Sequence, residues 1–105
     1  MIKEILNLLG LGPKVNYAEL LKQGAIILDV RSRREYANGH IKGSINIPVD
    51  QLRNNLFQLK DKTKPIITCC ASGVRSASAK NNLKSLGYTQ VYNGGSWGSL
   101  NYKLK

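Results

Sequence analysis

Thr68-Cys69-Cys70-Ala71-Ser72-Gly73-Val74-Arg75-Ser76 is the stretch on which the reading of the fold turns. Pro65-Ile66-Ile67-Thr68-Cys69 leads into it, a short β-branched run opened by proline that reads as a buried strand. Beyond it Ala77, Ala79, Leu83 and Leu86 recur near helical spacing and stop at Gly87. A cysteine therefore sits where a strand hands over to a helix. The small residues after it, with a glycine free to take positive φ, let backbone amides turn inward and form a nest around the sulfur. A helix N-terminus and an arginine add positive charge, so the sulfur is expected to be a stabilised thiolate.

Two cysteines compete for this place. From Cys69 the arginine lies at C-x5-R, the spacing of cysteine phosphatases, although Thr68 stands where those enzymes usually carry histidine. From Cys70 it lies at C-x4-R, with glycine three residues on and Arg75-Ser76 closing the loop. That second pattern resembles the active loop of rhodaneses, the thiosulfate-type sulfurtransferases, and favours Cys70. Strand side chains alternate between faces, so Cys69 and Cys70 cannot both enter one pocket while the strand stays regular. Cys69 is then expected to be a buried, inert thiol.

The rest of the chain bounds the class. A chain of 105 residues suits one domain, burying about two-thirds of its unfolded surface. Sixteen Lys and Arg against six Asp and Glu leave a formal charge of +10, which favours anionic ligands or acidic protein partners. The basic residues are dispersed and only one Phe and one Trp are present, so a nucleic-acid partner is not expected. Vicinal cysteines cannot form an ordinary structural disulfide, which points to a reducing, cytoplasmic setting. One histidine and one cysteine pair offer no zinc-type ligand spacing.

From the start, residues 1–13 read as an amphipathic extension built on Ile2, Ile5, Leu6, Leu8, Leu9 and Leu11, too short to span a bilayer. The domain is expected over 14–105. Asn16 is a plausible N-cap for a helix over 17–23, with Glu19 at N3 and Gly24 as its stop. Ala25 to Val30 reads as a second buried strand, with Asp29 near the carboxyl end where open α/β sheets bind ligands. Asp29 can accept from Arg75, from Arg31 or from loop amides, or simply cap the next turn. Arg33 to Asn38 reads as one or two helical turns, and Ile41, Ile45 and Ile47 as a short strand. His40 reads as a structural hydrogen-bonder rather than a base.

Asp29-Val30-Arg31 followed by Glu35-Tyr36 and by Gly39-His40-Ile41-Lys42-Gly43-Ser44-Ile45-Asn46-Ile47-Pro48 forms a second block that resembles the rhodanese segment. With the Cys70–Ser76 loop, the resemblance extends from about Val15 to Trp97. It implies a single-domain fold, α/β, with a mainly parallel central sheet and helices on both faces, as the alternation of strands and helices also suggests. It implies Cys70 as the catalytic residue, carrying a persulfide with no metal or organic cofactor needed, and the alternatives beside it are a phosphatase- or arsenate-reductase-like enzyme using Cys69 and a noncatalytic sulfur-carrier or interaction module. Ala71, Ser72, Gly73, Val74 and Arg75 would hold the substrate, with Asp29 and Arg31 in support and only structural roles for Glu35, His40 and Pro48. The implied partners of a monomeric enzyme are a small anionic sulfur donor and a thiol or protein sulfur acceptor.

The remaining segments carry less chemistry. Asp50 reads as the N-cap of a helix through Leu59, with Leu52, Leu56 and Leu59 on one face. Lys60 to Lys64 reads as a solvated loop. Val91-Tyr92 reads as a brief strand and Asn93-Gly94-Gly95 as a turn. Trp97 stands nearer the glycines than in most rhodaneses and is expected to pack in the core.

Overall fold

The computed structural model describes residues 14–105, so the amphipathic segment expected over 1–13 lies outside the described residues. Asn16 opens the first helix as expected: its Oδ1 accepts from Glu19 N at 3.0 Å, and helix α1 runs Tyr17–Lys22. Strand β1, Ile26–Asp29, follows. Ser32 then caps α2, Arg33–Ala37, in a reciprocal box in which Glu35 N reaches Ser32 Oγ and Ser32 N reaches Glu35 Oε1. The isoleucine-rich stretch after it is mostly irregular and yields only a two-residue strand β2, Ile45–Asn46.

Strand β3, Ile66–Cys70, is buried throughout. It extends one residue beyond the expected end, so Cys70 belongs to the strand itself. Helix α3 spans Val74–Ser85 and ends at Leu86, followed by Gly87 with φ +97°. Strand β4, Val91–Ser96, leads directly into helix α4, Trp97–Lys103, which Ser96 caps through Ser99 N. The sheet order is β2-β1-β3-β4 and every pairing is parallel.

Alternation along the strands sorts the core into two layers. Leu28, Ile66, Cys70 and Val91 face α3 and the segment after β2, joining Leu52, Leu59, Ala79 and Leu83. Ile27, Ile67 and Cys69 face the other way, toward Leu100 of α4 with Leu20 and Leu21 of α1 packed against them. Each such aliphatic side chain contributes roughly 1.5–3 kcal/mol by leaving water. Helices thus cover both faces of a parallel sheet.

Two expectations are corrected. The segment from Asp50 is not an α-helix but two 3₁₀ stretches, Val49–Asn54 and Leu56–Gln58, and Asp50 makes no capping bond. The leucines do turn inward, Leu52 and Leu59 fully, which tight turns achieve as well as a helix does. Likewise Asn93-Gly94-Gly95 is not a turn but part of β4. Thr68 pairs with Asn93 and Cys70 with Ser96, so β4 carries one extra residue there, a bulge with Gly95 at φ +80°. A Cβ on Gly94 would lie 2.9 Å from both Ile67 and Leu100, so close packing of strand against α4 explains that glycine.

Candidate active site

The carboxyl ends of β1 and β3 bring the predicted residues to one edge of the sheet. Cys70 is fully buried, with its sulfur inside the loop that follows it. Gly73 N points at Sγ from 2.9 Å and Ser76 N from 3.4 Å, while the thiol donates to Ser76 Oγ at 3.4 Å. Gly73, at φ +101°, makes the tight return that opens α3. A residue with a Cβ would be strained there. Burial alone pushes the Cys70 thiol up. Hydrogen bonding with the Ser76 hydroxyl and bonds from the amides of Ser76, Gly73 and Ser72 outweigh it, and the thiol ends below its ordinary value.

Cys69 has the reverse surroundings. Packed on the opposite layer, its thiol is pushed up to about 12, first by burial and then by the negative charge of Asp29.

Arg31 occupies the Asp29 carboxylate, and the pair is buried. Its Nε lies 2.9 and 3.0 Å from the two oxygens, and a terminal nitrogen lies 2.7 Å from Oδ2. The backbone N of Arg31 adds a fourth bond at 3.1 Å. The guanidinium also donates to Gly39 O at 2.7 Å and stacks 4.7 Å from the Trp97 ring centre. Trp97 is therefore a wall behind this pair, packed on the second core layer as expected. Arg75 does not pair with Asp29. It forms a two-pronged bond to Glu35, at 2.7 and 2.9 Å, and holds that carboxyl down to about 2, helped by Ser32 N. The reason is occupancy: Arg31, two residues from Asp29, closes the planar fork first.

Ala71, Ser72 and Val74 stand on the exposed rim, and the short contacts to sulfur come from Gly73 and Ser76. Beside the rim a cavity of about 380 Å³ is lined by Arg33, Arg75, Val30, Val49 and Pro48 among others. A larger depression of about 730 Å³ lies off the β4 edge, away from the sulfur. His40 is structural, its Nδ1 2.7 Å from Tyr36 O and its ring stacked on Tyr36.

With a cysteine nested in a six-residue strand-to-helix loop, the comparison with known proteins is decisive: residues 14–97 match the rhodanese-like domain. The chain belongs to the rhodanese-like family. Its rhodanese-like domain is 37% identical over 73 residues to the uncharacterized protein YibN of Escherichia coli K12, covering 68% of this chain and 51% of that one. It is 32% identical over 80 residues to the thiosulfate sulfurtransferase GlpE of Pseudomonas fluorescens, covering 76% of this chain and 72% of the relative. The human single-domain sulfurtransferase TSTD1 superposes with a TM-score of 0.71 at 34% identity, over 79% of this chain and 87% of that one. The chain spans about half the length of several curated relatives it matches. Among the described residues no helix is long and apolar enough to cross a membrane.

Three members of this rhodanese-like site were not assigned a part by sequence reasoning: Ser76, Asn93 and Glu35 as the partner of Arg75. Ser76 lies three residues beyond Gly73, on the inner side of the first turn of α3, and that spacing could have suggested it. Asn93 donates to Gly73 O at 3.3 Å and accepts from Ser76 Oγ at 2.7 Å and from Gly95 N at 2.9 Å. Nothing local in the sequence signals a contact between positions 76 and 93.

Proposed function

We propose that the chain is a sulfurtransferase that carries sulfane sulfur as a persulfide on Cys70. The observation that carries this reading is the set of polar groups around one sulfur, the donors Gly73 N and Ser76 N and the Ser76 hydroxyl that accepts from the thiol, on a loop whose spacing suits a single sulfur atom. In the first half-reaction the Cys70 thiolate attacks the outer sulfur of thiosulfate. A new S–S bond forms, the old one breaks, and sulfite leaves with its electron pair. The loop amides, at the amino end of α3, are placed to stabilise the anion on the sulfur. In the second half-reaction a thiolate or cyanide attacks the outer sulfur, and Cys70 departs as thiolate.

Arg75 and Arg33 flank the cavity beside the loop and are suited to an anionic donor. Glu35 holds Arg75 in place rather than taking part in chemistry. The name of the Pseudomonas relative supports thiosulfate as donor class. Two free cysteines fit a reducing, cytoplasmic setting. The phosphatase alternative needs Cys69, which lies on the opposite face with a thiol far above its ordinary value.

Intact mass spectrometry after thiosulfate treatment tests the reading. The protein should gain the mass of one sulfur atom and lose it on adding cyanide. No gain, with Cys70 still alkylatable, would overturn the proposal.

A further inference from the structure

Ser76 has one hydroxyl proton and two acceptors within reach. It donates to Asn93 Oδ1 at 2.7 Å, while its own oxygen accepts from the Cys70 thiol at 3.4 Å. The orientation of the Asn93 amide follows from its two other bonds, Gly95 N to Oδ1 at 2.9 Å and Nδ2 to Gly73 O at 3.3 Å. The carbonyl oxygen therefore faces Ser76. With Cys70 as thiol, protons run in one direction, from sulfur to Ser76 and from Ser76 to Asn93, and each has an acceptor.

Ionisation breaks that order. Once the thiol proton leaves for solvent, the sulfur stops donating and needs donors. Ser76 can supply one only by turning its O–H away from Asn93. Asn93 Oδ1 keeps Gly95 N, so the turn leaves no bare acceptor in the interior. No covalent bond forms or breaks in this step, and the only proton to leave is that of the thiol.

We propose that Asn93 is a positioning residue that competes with Cys70 for the single Ser76 proton and so sets how readily Cys70 ionises. The proposal rests on the reading of Cys70 as nucleophile. It makes the glycine bulge of β4 part of the site, because Gly95 holds Asn93, and Asn93 in turn holds the carbonyl of Gly73, whose N–H points at the sulfur.

The test is the pH dependence of iodoacetamide alkylation at Cys70, followed by peptide mass spectrometry in the parent, Asn93→Ala, Ser76→Ala and the double variant. Ser76→Ala should move the midpoint up. Asn93→Ala should move it down and speed alkylation at neutral pH about two- to tenfold, the worth of one hydrogen bond. In the Ser76→Ala background the same Asn93 change should lose that downward shift, leaving only what freeing the Gly73 carbonyl does. An equal shift in both backgrounds, an upward shift with Ser76 present, or no shift at all would overturn the proposal. Should circular dichroism show that Asn93→Ala fails to fold, Asn93→Asp carries the test. A stronger acceptor should then raise the midpoint more with Ser76 present than without it, and equal rises would refute the competition. Alkylation needs no sulfur donor, so a protein that forms no persulfide would lose the proposed function while this relay is still judged on its own result.

Discussion

Cys69 and Cys70 are covalent neighbours with opposite surroundings. Pleating turns the first toward α4 and the second toward α3, and each lies in the field of a different arginine–carboxylate pair. On the Cys69 side Asp29 and Arg31 are sealed in the interior, and the thiol beside them is held protonated. On the Cys70 side Arg75 and Glu35 stay more than a third exposed, and the sulfur receives backbone donors as well as core packing. Burial alone therefore does not decide the reactivity of a thiol. Both cysteines are without solvent exposure; donors aimed at its sulfur lower Cys70, while burial without such donors and the nearby Asp29 charge raise Cys69.

The sharpest way to break this contrast is to exchange serine for each cysteine in turn. Cys70→Ser should abolish both the thiosulfate-dependent mass gain and thiosulfate:cyanide turnover, while Cys69→Ser keeps both, and neither variant should hydrolyse an aryl phosphate. Essential Cys69, dispensable Cys70 and phosphatase activity together would invert the assignment.

A second comparison concerns the two ion pairs. Asp29→Ala leaves Arg31 buried without its carboxylate and should cost about 3–5 kcal/mol in urea unfolding. Glu35→Gln opens an exposed pair, and its cost should stay within about 1 kcal/mol. Equal costs would mean that the two sides are not distinct in the way their burial implies. Glu35 also sets a pH window. Its folded carboxyl is lowered to about 2, so its contribution is fully present above the ordinary glutamate value and is lost as acid drives the pH down toward about 2. Unfolding curves for parent and Glu35→Gln should therefore differ at neutral pH and converge in strong acid.

The smallest effect sharpens the contrast of the thiols themselves. Alkylation of Cys70 should set in below the value of about 8.5 typical of a free thiol. Cys69 should stay silent until pH nears about 12 or the protein unfolds. Peptide mapping after brief labelling separates them. Comparable labelling of both at neutral pH would show that the loop does not shelter one and activate the other.

Much of this architecture is legible in the chain. Cys70, its loop and the helix behind it follow from a β-branched run, a glycine and a helical repeat, because the chemistry of a strand-to-helix loop is local. The opposite fates of Cys69 and Cys70 follow from the period of a strand. The two 3₁₀ stretches escaped notice because Leu52 and Leu59 can point inward from either kind of helix. A glycine pair reads as a turn until the packing of Gly94 against Ile67 and Leu100 is known. Only the tertiary structure could decide that Arg75 takes Glu35 and leaves Asp29 to Arg31, and that Asn93 stands behind Ser76. Those choices join positions 40 and 17 residues apart. They depend on which donors and acceptors remain free once the strands are in register, and no local pattern of residue types records that.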